Sequence, residues 1–160
     1  MTENLHIRVA SPADLDDICD LSDQINRQHH AQAPDVFNAG TEREKHRLFW
    51  QASQQLPGNI FFVAEQQAAV IGLVTANIAE NRVIPFLQHR KICRIGTIVV
   101  RQDRQRQGVG TRLILETLAW AAAQGAQEIK LEVFDFNRPA LAFYERLGFR
   151  MQSHIMQQGL

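Results

Sequence analysis

Cysteine is scarce in this chain, with only Cys19 and Cys93 present. Two thiols make no disulfide framework. Cys19 falls on the apolar side of an expected helix and Cys93 in an expected strand. Both read as small buried residues rather than nucleophiles. A reducing, cytoplasmic setting fits that pattern. Net charge is missing too, because 17 Lys and Arg balance 17 Asp and Glu. No global field therefore draws the chain to nucleic acid or to an acidic membrane. No apolar run is long enough to span a bilayer, and no signal peptide is expected. Repeats, low-complexity tracts and long linkers are absent as well.

What is present is a chain of 160 residues, 45% hydrophobic and 21% charged, a balance that suits one globular domain over residues 1–160 with its own core. Charge is uneven along it. Arg82 to Arg112 carries eight Lys or Arg and one acid, Asp103, whereas Met1 to Gln24 carries six acids and one Arg. An anion could sit near the first stretch and a cation near the second; two solvated faces explain them equally well.

Leu5 to Ala10 alternates and reads as a first strand. Ser11-Pro12-Ala13-Asp14 reads as a helix start with Ser11 as N-cap. Leu15, Ile18, Cys19, Leu21 and Ile25 form the buried stripe of that helix, with Asp16, Asp20 and Asp23 opposite. A second helix starts at Thr41. Ile60 to Glu65 and Ala69 to Ile78 read as a hairpin bending near Gln66 and Gln67. Lys91 to Val100 is a strand, and Thr111 to Gln124 a helix stopped by Gly125. Glu128 to Phe134 is a strand, Asn137 to Leu147 a helix closed by Gly148, and Phe149 to Met156 a last strand. The strands at Ile98 and Leu131, joined through a helix, form a parallel pair. The expected fold is α/β, a mixed sheet with helices on both faces.

The sharpest signal is the loop Gln105-Arg106-Gln107-Gly108-Val109-Gly110, between a strand and a helix. The first amides of a helix have no internal partners, and its dipole favours negative charge there. Glycines let an anionic ligand come close, so the loop reads as a phosphate cradle. Alone it is weak. The dinucleotide fingerprint needs three glycines at another spacing, and the ATP loop ends in Gly-Lys-Ser/Thr. Here Gly110 is followed by Thr111 and Arg112, so neither template fits.

About thirty residues on comes the pattern Asn137-x-x-Ala140-x-x-x-Tyr144-x-x-x-Gly148-Phe149. Together with Gln105-x-x-Gly108-x-Gly110 it resembles the GNAT superfamily of acetyl-coenzyme A dependent N-acetyltransferases. The resemblance is close from Ile92 to Phe149 and loose before that. It implies a mixed sheet of about six to seven strands with about four helices and a splayed parallel pair that binds the coenzyme. It assigns the pyrophosphate of acetyl-CoA to Gln105, Arg106, Gln107, Gly108, Val109, Gly110 and Thr111. It assigns the pantetheine arm to the main chain of Ile98, Val99 and Val100, with Asn137, Ala140 and Tyr144 beside it. Tyr144 matches the position that protonates the departing thiolate. No metal is implied, and a homodimer is open at family level only.

Each residue has an ordinary structural role as well. Tyr144, the only tyrosine, would also suit a half-buried core position beside Ala140, Phe143 and Leu147. Asn137 would cap its helix, which is compatible with binding. Arg101, Arg104, Arg106 and Arg138 are candidates for phosphate contact or simply exposed.

One element of the family pattern is missing. Many relatives carry a glutamate in the strand before the loop, and here that stretch reads Arg94-Ile95-Gly96-Thr97-Ile98-Val99-Val100. Some other group must take the proton of an ammonium substrate. The candidates are Glu80, His89, Asp135 and the pair His29-His30. The acceptor region of the superfamily corresponds to Asn26–His30 and Pro34–Phe37. Three readings follow: acetyl transfer to a small primary amine by direct attack, the same transfer to a protein or peptide, or a non-catalytic acyl-CoA sensor.

Overall fold

The computed structural model describes residues 4–160; Glu3, one of the acids of the N-terminal stretch, lies outside them. The described residues form one sheet in the order β1-β2-β3-β4-β5. The strands are β1 (His6–Val9), β2 (Asn59–Gln66), β3 (Ala69–Glu80), β4 (Lys91–Val100) and β5 (Glu128–Lys130). Strands β1 to β4 pair antiparallel, and β4 pairs with β5 in parallel. Parallel neighbours need a crossover, and α3 (Val109–Ala123) supplies it. With α1 (Leu15–Gln32), α2 (Arg43–Gln55) and α4 (Arg138–Arg146), the four expected helices are present.

Side chains alternate across a strand, so β2, β3 and β4 feed two cores. Phe61, Val63, Leu73 and Val99 cluster with Leu15, Ile18, Cys19 and Leu21 of α1 and Trp50 of α2. Phe62, Ala64, Val74 and Ile95 cluster with Val109, Leu113 and Ile114 of α3 and Tyr144 of α4. Both cysteines are fully buried, as their surroundings predicted. Gly72 lets α3 lie close on β3: a Cβ there would meet Leu113 Cδ1 at 3.1 Å and Val109 Cγ1 at 3.3 Å.

The chain enters α1 through a single 3-10 turn, Pro12–Asp14, which Ser11 precedes. The Asp14 carboxylate accepts the Ser11 N–H at 2.7 Å, the Ser11 hydroxyl at 3.0 Å and both terminal nitrogens of Arg8 at 2.8 Å. Arg8 also reaches Glu65, at 2.7 Å. These bonds fasten β1 and β2 to the start of α1. The Arg8 guanidinium and the Ser11 donors hold the Asp14 carboxyl down at about 2.

The C-terminal side differs from expectation. The strand expected over Glu128–Phe134 keeps its ladder only at Glu128–Lys130. Thr75 pairs with Thr97 and Ala76 with Ile95, so Gly96 is an extra residue in β4. Such a bulge bends its strand, and β4 leaves β5 after Arg94. Gly96 fits because a Cβ would stand 3.0 Å from the Thr75 hydroxyl, which accepts the Thr97 N–H at 3.0 Å. The splayed parallel pair is therefore present. The last strand, expected over Phe149–Met156, makes no ladder, and Arg150 to Leu160 stay exposed. The β5 ladder ends at Lys130, so only three residues of β5 offer a free edge for the last strand to join. The sheet has five strands among the described residues, not six to seven.

Candidate active site

After β4 the chain makes a 3-10 turn, Gln102–Arg104, and enters the glycine loop. Arg106 at φ 59° and Gly108 at φ 81° are both left-handed. Such a conformation costs a non-glycine residue roughly 1–2 kcal/mol and collects at ligand clamps. Gly108 is the N-cap of α3, and no side chain caps that helix. The Arg112 N–H returns to the Gly108 carbonyl at 3.1 Å. The amides of Val109, Gly110 and Thr111 therefore have no helical partner.

The two glycines have different reasons. Among the described residues a Cβ on Gly108 would meet nothing within 4 Å, so they leave the space beside the uncapped amides open. A Cβ on Gly110 would press on Phe143 Cζ at 3.3 Å. Gly110 thus lets α4 close against α3, a packing role in addition to the ligand role expected of it. The arginines also separate. Arg101 forks onto Asp103 at 2.7 and 3.0 Å, and Arg138 pairs with Asp135 at 3.1 Å. Arg104 has a buried Nε without a hydrogen-bond partner among the described residues, 3.9 Å from Asp103. Arg106 is exposed on the loop itself.

Beyond Arg94 the outer edge of β4 has no β5 partner. Ile98 and Val100 are half-buried there, and the Val99 side chain is buried on the α1 side. The Val100 carbonyl accepts Gln24 Nε2 at 2.9 Å and Gln105 Nε2 at 3.1 Å. Gln24 Oε1 in turn accepts the Gln102 N–H at 3.1 Å. The Gln24 carboxamide thus stands beside the end of β4 as one more peptide unit would. A carbonyl has two lone pairs, so one amide must turn away before a ligand can use this one. Gln24 lies 76 residues from Val100, and no local pattern announced it.

Asn137 caps α4, its Oδ1 accepting the Ala140 N–H at 3.3 Å. Tyr144 sits on the last turn of α4, buried against Phe143 and Phe149, with ring centroids 5.2 and 5.7 Å away. Burial pushes its phenol up to about 12. It is an acid at every ordinary pH, but a reluctant one. Full transfer to a thiolate with an ordinary thiol pKa of about 8.5 is uphill by roughly 5 kcal/mol. Hydrogen-bond donation to sulfur is the accessible role until the charge of a bound donor changes that balance.

The opposite end of the site belongs to α1. Asp16 pairs with Arg43 and Arg47, Asp20 with Arg43 at 2.7 Å, and Asp23 with Arg43 at 3.6 Å. These acids are not a bare solvated face; they tie α1 to α2. The same joint contains His46, with Nε2 3.0 Å from Ser22 Oγ and Nδ1 3.0 Å from Asp23 Oδ1. Ser22 and His46 are buried between the helices, so the trio serves their packing. Two cavities flank the end of α1. One, of about 440 Å³, is bordered by Asp23, Asn26 and Arg27 and by residues 36–41. The other, of about 400 Å³, is lined by Gln28, His29, Ala31, Gln32, Phe136 and Asn137.

The candidate bases are dispersed. Glu80 is held low by Arg82, 2.8 Å away. His89 is exposed in the β3–β4 connection. Asp135 is 89% exposed and paired with Arg138. His30 places Nδ1 2.7 Å from the Phe37 carbonyl. His29 alone of the five shares a cavity with Asn137. Its ring packs against Phe37, Phe134 and Phe136, a cluster with no local signal in the sequence because its members come from two distant segments.

Residues 23–149 match the acetyltransferase (GNAT) family, and the chain belongs to that family. It is 30% identical to an N-alpha-acetyltransferase of Sulfolobus acidocaldarius over 152 residues, 92% of this chain and 80% of that one. It is 29% identical to N-acetyltransferase 8 of Homo sapiens over 93 residues, 58% of this chain. That match spans about two fifths (39%) of the human protein's length. Among solved structures, a variant of the BH1408 protein of Bacillus halodurans superposes with a TM-score of 0.91 at 26% identity, covering 97% of this chain and 99% of that one. The aminoglycoside N-acetyltransferase AAC(6')-Iy, solved with CoA, shares the fold with a TM-score of 0.79 at 18% identity, covering 100% of this chain and 98% of that one.

Proposed function

We propose that the protein moves acetyl from acetyl-CoA to a primary amine of a small molecule by direct attack in a ternary complex. The observation that carries this is one juxtaposition: the uncapped first turn of α3 beside a β4 edge that β5 abandons after Arg94. Gln105 to Thr111 would hold the pyrophosphate, chiefly through main-chain amides, with Arg106 and Arg104 as nearby cations. Ile98, Val99 and Val100 would pair with the pantetheine arm as an added strand, with Asn137 and Ala140 beside it. A main-chain amide of the splayed strand would donate to the oxyanion, and Tyr144 to the departing sulfur.

Direct attack follows from the thiols. Burial pushes Cys93 up to about 11 and raises Cys19, so neither offers a thiolate to carry acetyl. The chemistry calls for no metal. The cavity beside Asn137 is of a size that suits a small acceptor. We read the protein as cytoplasmic, with a homodimer allowed and neither nucleic acid nor membrane as partner.

A second reading, transfer to a protein N-terminus or lysine, is favoured by the similarity to the Sulfolobus N-alpha-acetyltransferase. A third, an acyl-CoA sensor without turnover, draws on the missing strand carboxylate. Free-thiol release from acetyl-CoA over amines, amino acids and peptides separates the three. Turnover on small amines supports the first and on peptides the second, whereas tight binding with no turnover supports the third. A stable acetyl-enzyme detected by mass spectrometry would overturn direct attack.

A further inference from the structure

We infer that His29 is the general base of this transfer and that its acceptor is a monoamine on an apolar framework; the inference rests on the acetyltransferase reading above. His29 lies in the last turn of α1, with Nδ1 2.8 Å from the Ile25 carbonyl. A carbonyl only accepts, so Nδ1 carries the hydrogen and the neutral ring keeps its lone pair on Nε2. The ring is held by Phe37, Phe134 and Phe136, with centroids 4.9, 5.8 and 5.6 Å away. Phe134 and Phe136 follow β5 at the side where it parts from β4. The cavity that His29 borders is also bordered by Asn137, the residue assigned to the coenzyme arm. Base and donor thus open on one space. Glu80, His89 and Asp135 border neither cavity, and His30 borders neither as well.

The acceptor class follows from what lines that space. Among the described residues its walls are aromatic, imidazole, amide and alanine, with no carboxylate for a second ammonium. The acids of α1 that might attract a polyamine are engaged by Arg43 and Arg47. In the step proposed, R–NH3+ gives one proton to His29 Nε2. The freed nitrogen lone pair forms a bond to the thioester carbonyl carbon. The adduct collapses with cleavage of the C–S bond while Tyr144 donates a hydrogen bond to the leaving sulfur. The nitrogen's second proton passes to that sulfur, through the Tyr144 hydroxyl or water. His29 then releases its proton to solvent. The products are R–NH–acetyl, CoA thiol and one proton.

The test compares acceptors that are protonated at neutral pH with acceptors that are not. Alkylamines need the base; hydrazides and aromatic amines arrive already neutral. His29→Asn keeps an N–H donor for the Ile25 carbonyl but lacks Nε2. It should lower kcat/KM for alkylamines about 100-fold and for the neutral acceptors less than about fivefold. Acetyl-CoA affinity should be unchanged, and imidazole should restore part of the alkylamine rate. Equal losses with both acceptor classes, or no loss, would overturn the assignment. Should His29→Asn lose coenzyme binding through misfolding, His29→Gln is judged by the same criterion. A wild-type protein silent on every amine would overturn this inference and the acetyltransferase reading together. Turnover by wild type with an unimpaired variant would overturn His29 alone. For the acceptor, a phenylalkyl monoamine should exceed a linear polyamine by about tenfold in kcat/KM; the reverse order would remove that half.

Discussion

The proposed donor end and the proposed acceptor end of the site are built by different means. At the donor end, β4, the loop Gln105–Gly110 and α3 are consecutive in the chain, and the groups on offer belong to the main chain. The loop amides need only a left-handed turn and an uncapped helix. At the proposed acceptor end, His29 and Phe136 line the cavity and Phe37 and Phe134 pack on the His29 ring, from segments about 100 residues apart; side chains make this surface. A main-chain site tolerates many side chains, whereas a side-chain site changes with each substitution. The fold therefore predicts the donor and leaves the acceptor to the particular residues of α1 and the β5–α4 connection.

Gly108→Val probes this contrast most strongly. Its side chain would fill the open space beside the α3 amides and strain φ 81°. Acetyl-CoA affinity by calorimetry should fall about 100-fold or more, roughly 3 kcal/mol. Unchanged affinity would show that the loop does not hold the pyrophosphate. Asp14→Asn, remote from both ends, should cost about 2 kcal/mol in denaturant unfolding and leave both affinities alone. Its pH signature has a definite sign. The folded carboxyl sits near 2, below its ordinary value of 3.8. Its stabilising contribution is complete above about pH 4 and disappears as pH falls toward 2. The variant should lack that acid limb in a plot of stability against pH.

Tyr144→Phe should lower kcat about tenfold with acetyl-CoA affinity within about twofold. Intact turnover would remove Tyr144 as the proton donor. Arg43→Ala should give the smallest effect. Its partners Asp16 and Asp20 are exposed, so the melting temperature should fall by about 2 °C or less. If α1 positions the acceptor, KM for the amine should rise while acetyl-CoA affinity stays fixed. A change in the coenzyme affinity instead would blur the separation of the two ends.

Legibility follows the same division. The strand-loop-helix of the donor end is local, so hydrophobic spacing and two glycines located it. The packing of Gly110 against Phe143 is not legible locally, because Phe143 lies on another helix. The last strand was overestimated for a related reason. Phe149 to Met156 has suitable residues, but a strand exists only if an edge is in register to receive it. Gly96 was visible as a residue but not as the bulge that takes β4 away from β5.

The sequence by itself determined the helices, the hairpin, the parallel pair and the glycine loop proposed as a phosphate cradle, because each depends on contacts or periodicities within a short stretch of chain. Tertiary structure alone decided that Gln24 completes the end of β4, that Arg43 and Arg47 pair with Asp16, Asp20 and Asp23 of α1, and that His29 and Asn137 face one cavity. Those facts depend on how two faces of a sheet bring remote segments together, and no local pattern encodes which remote residue will be met.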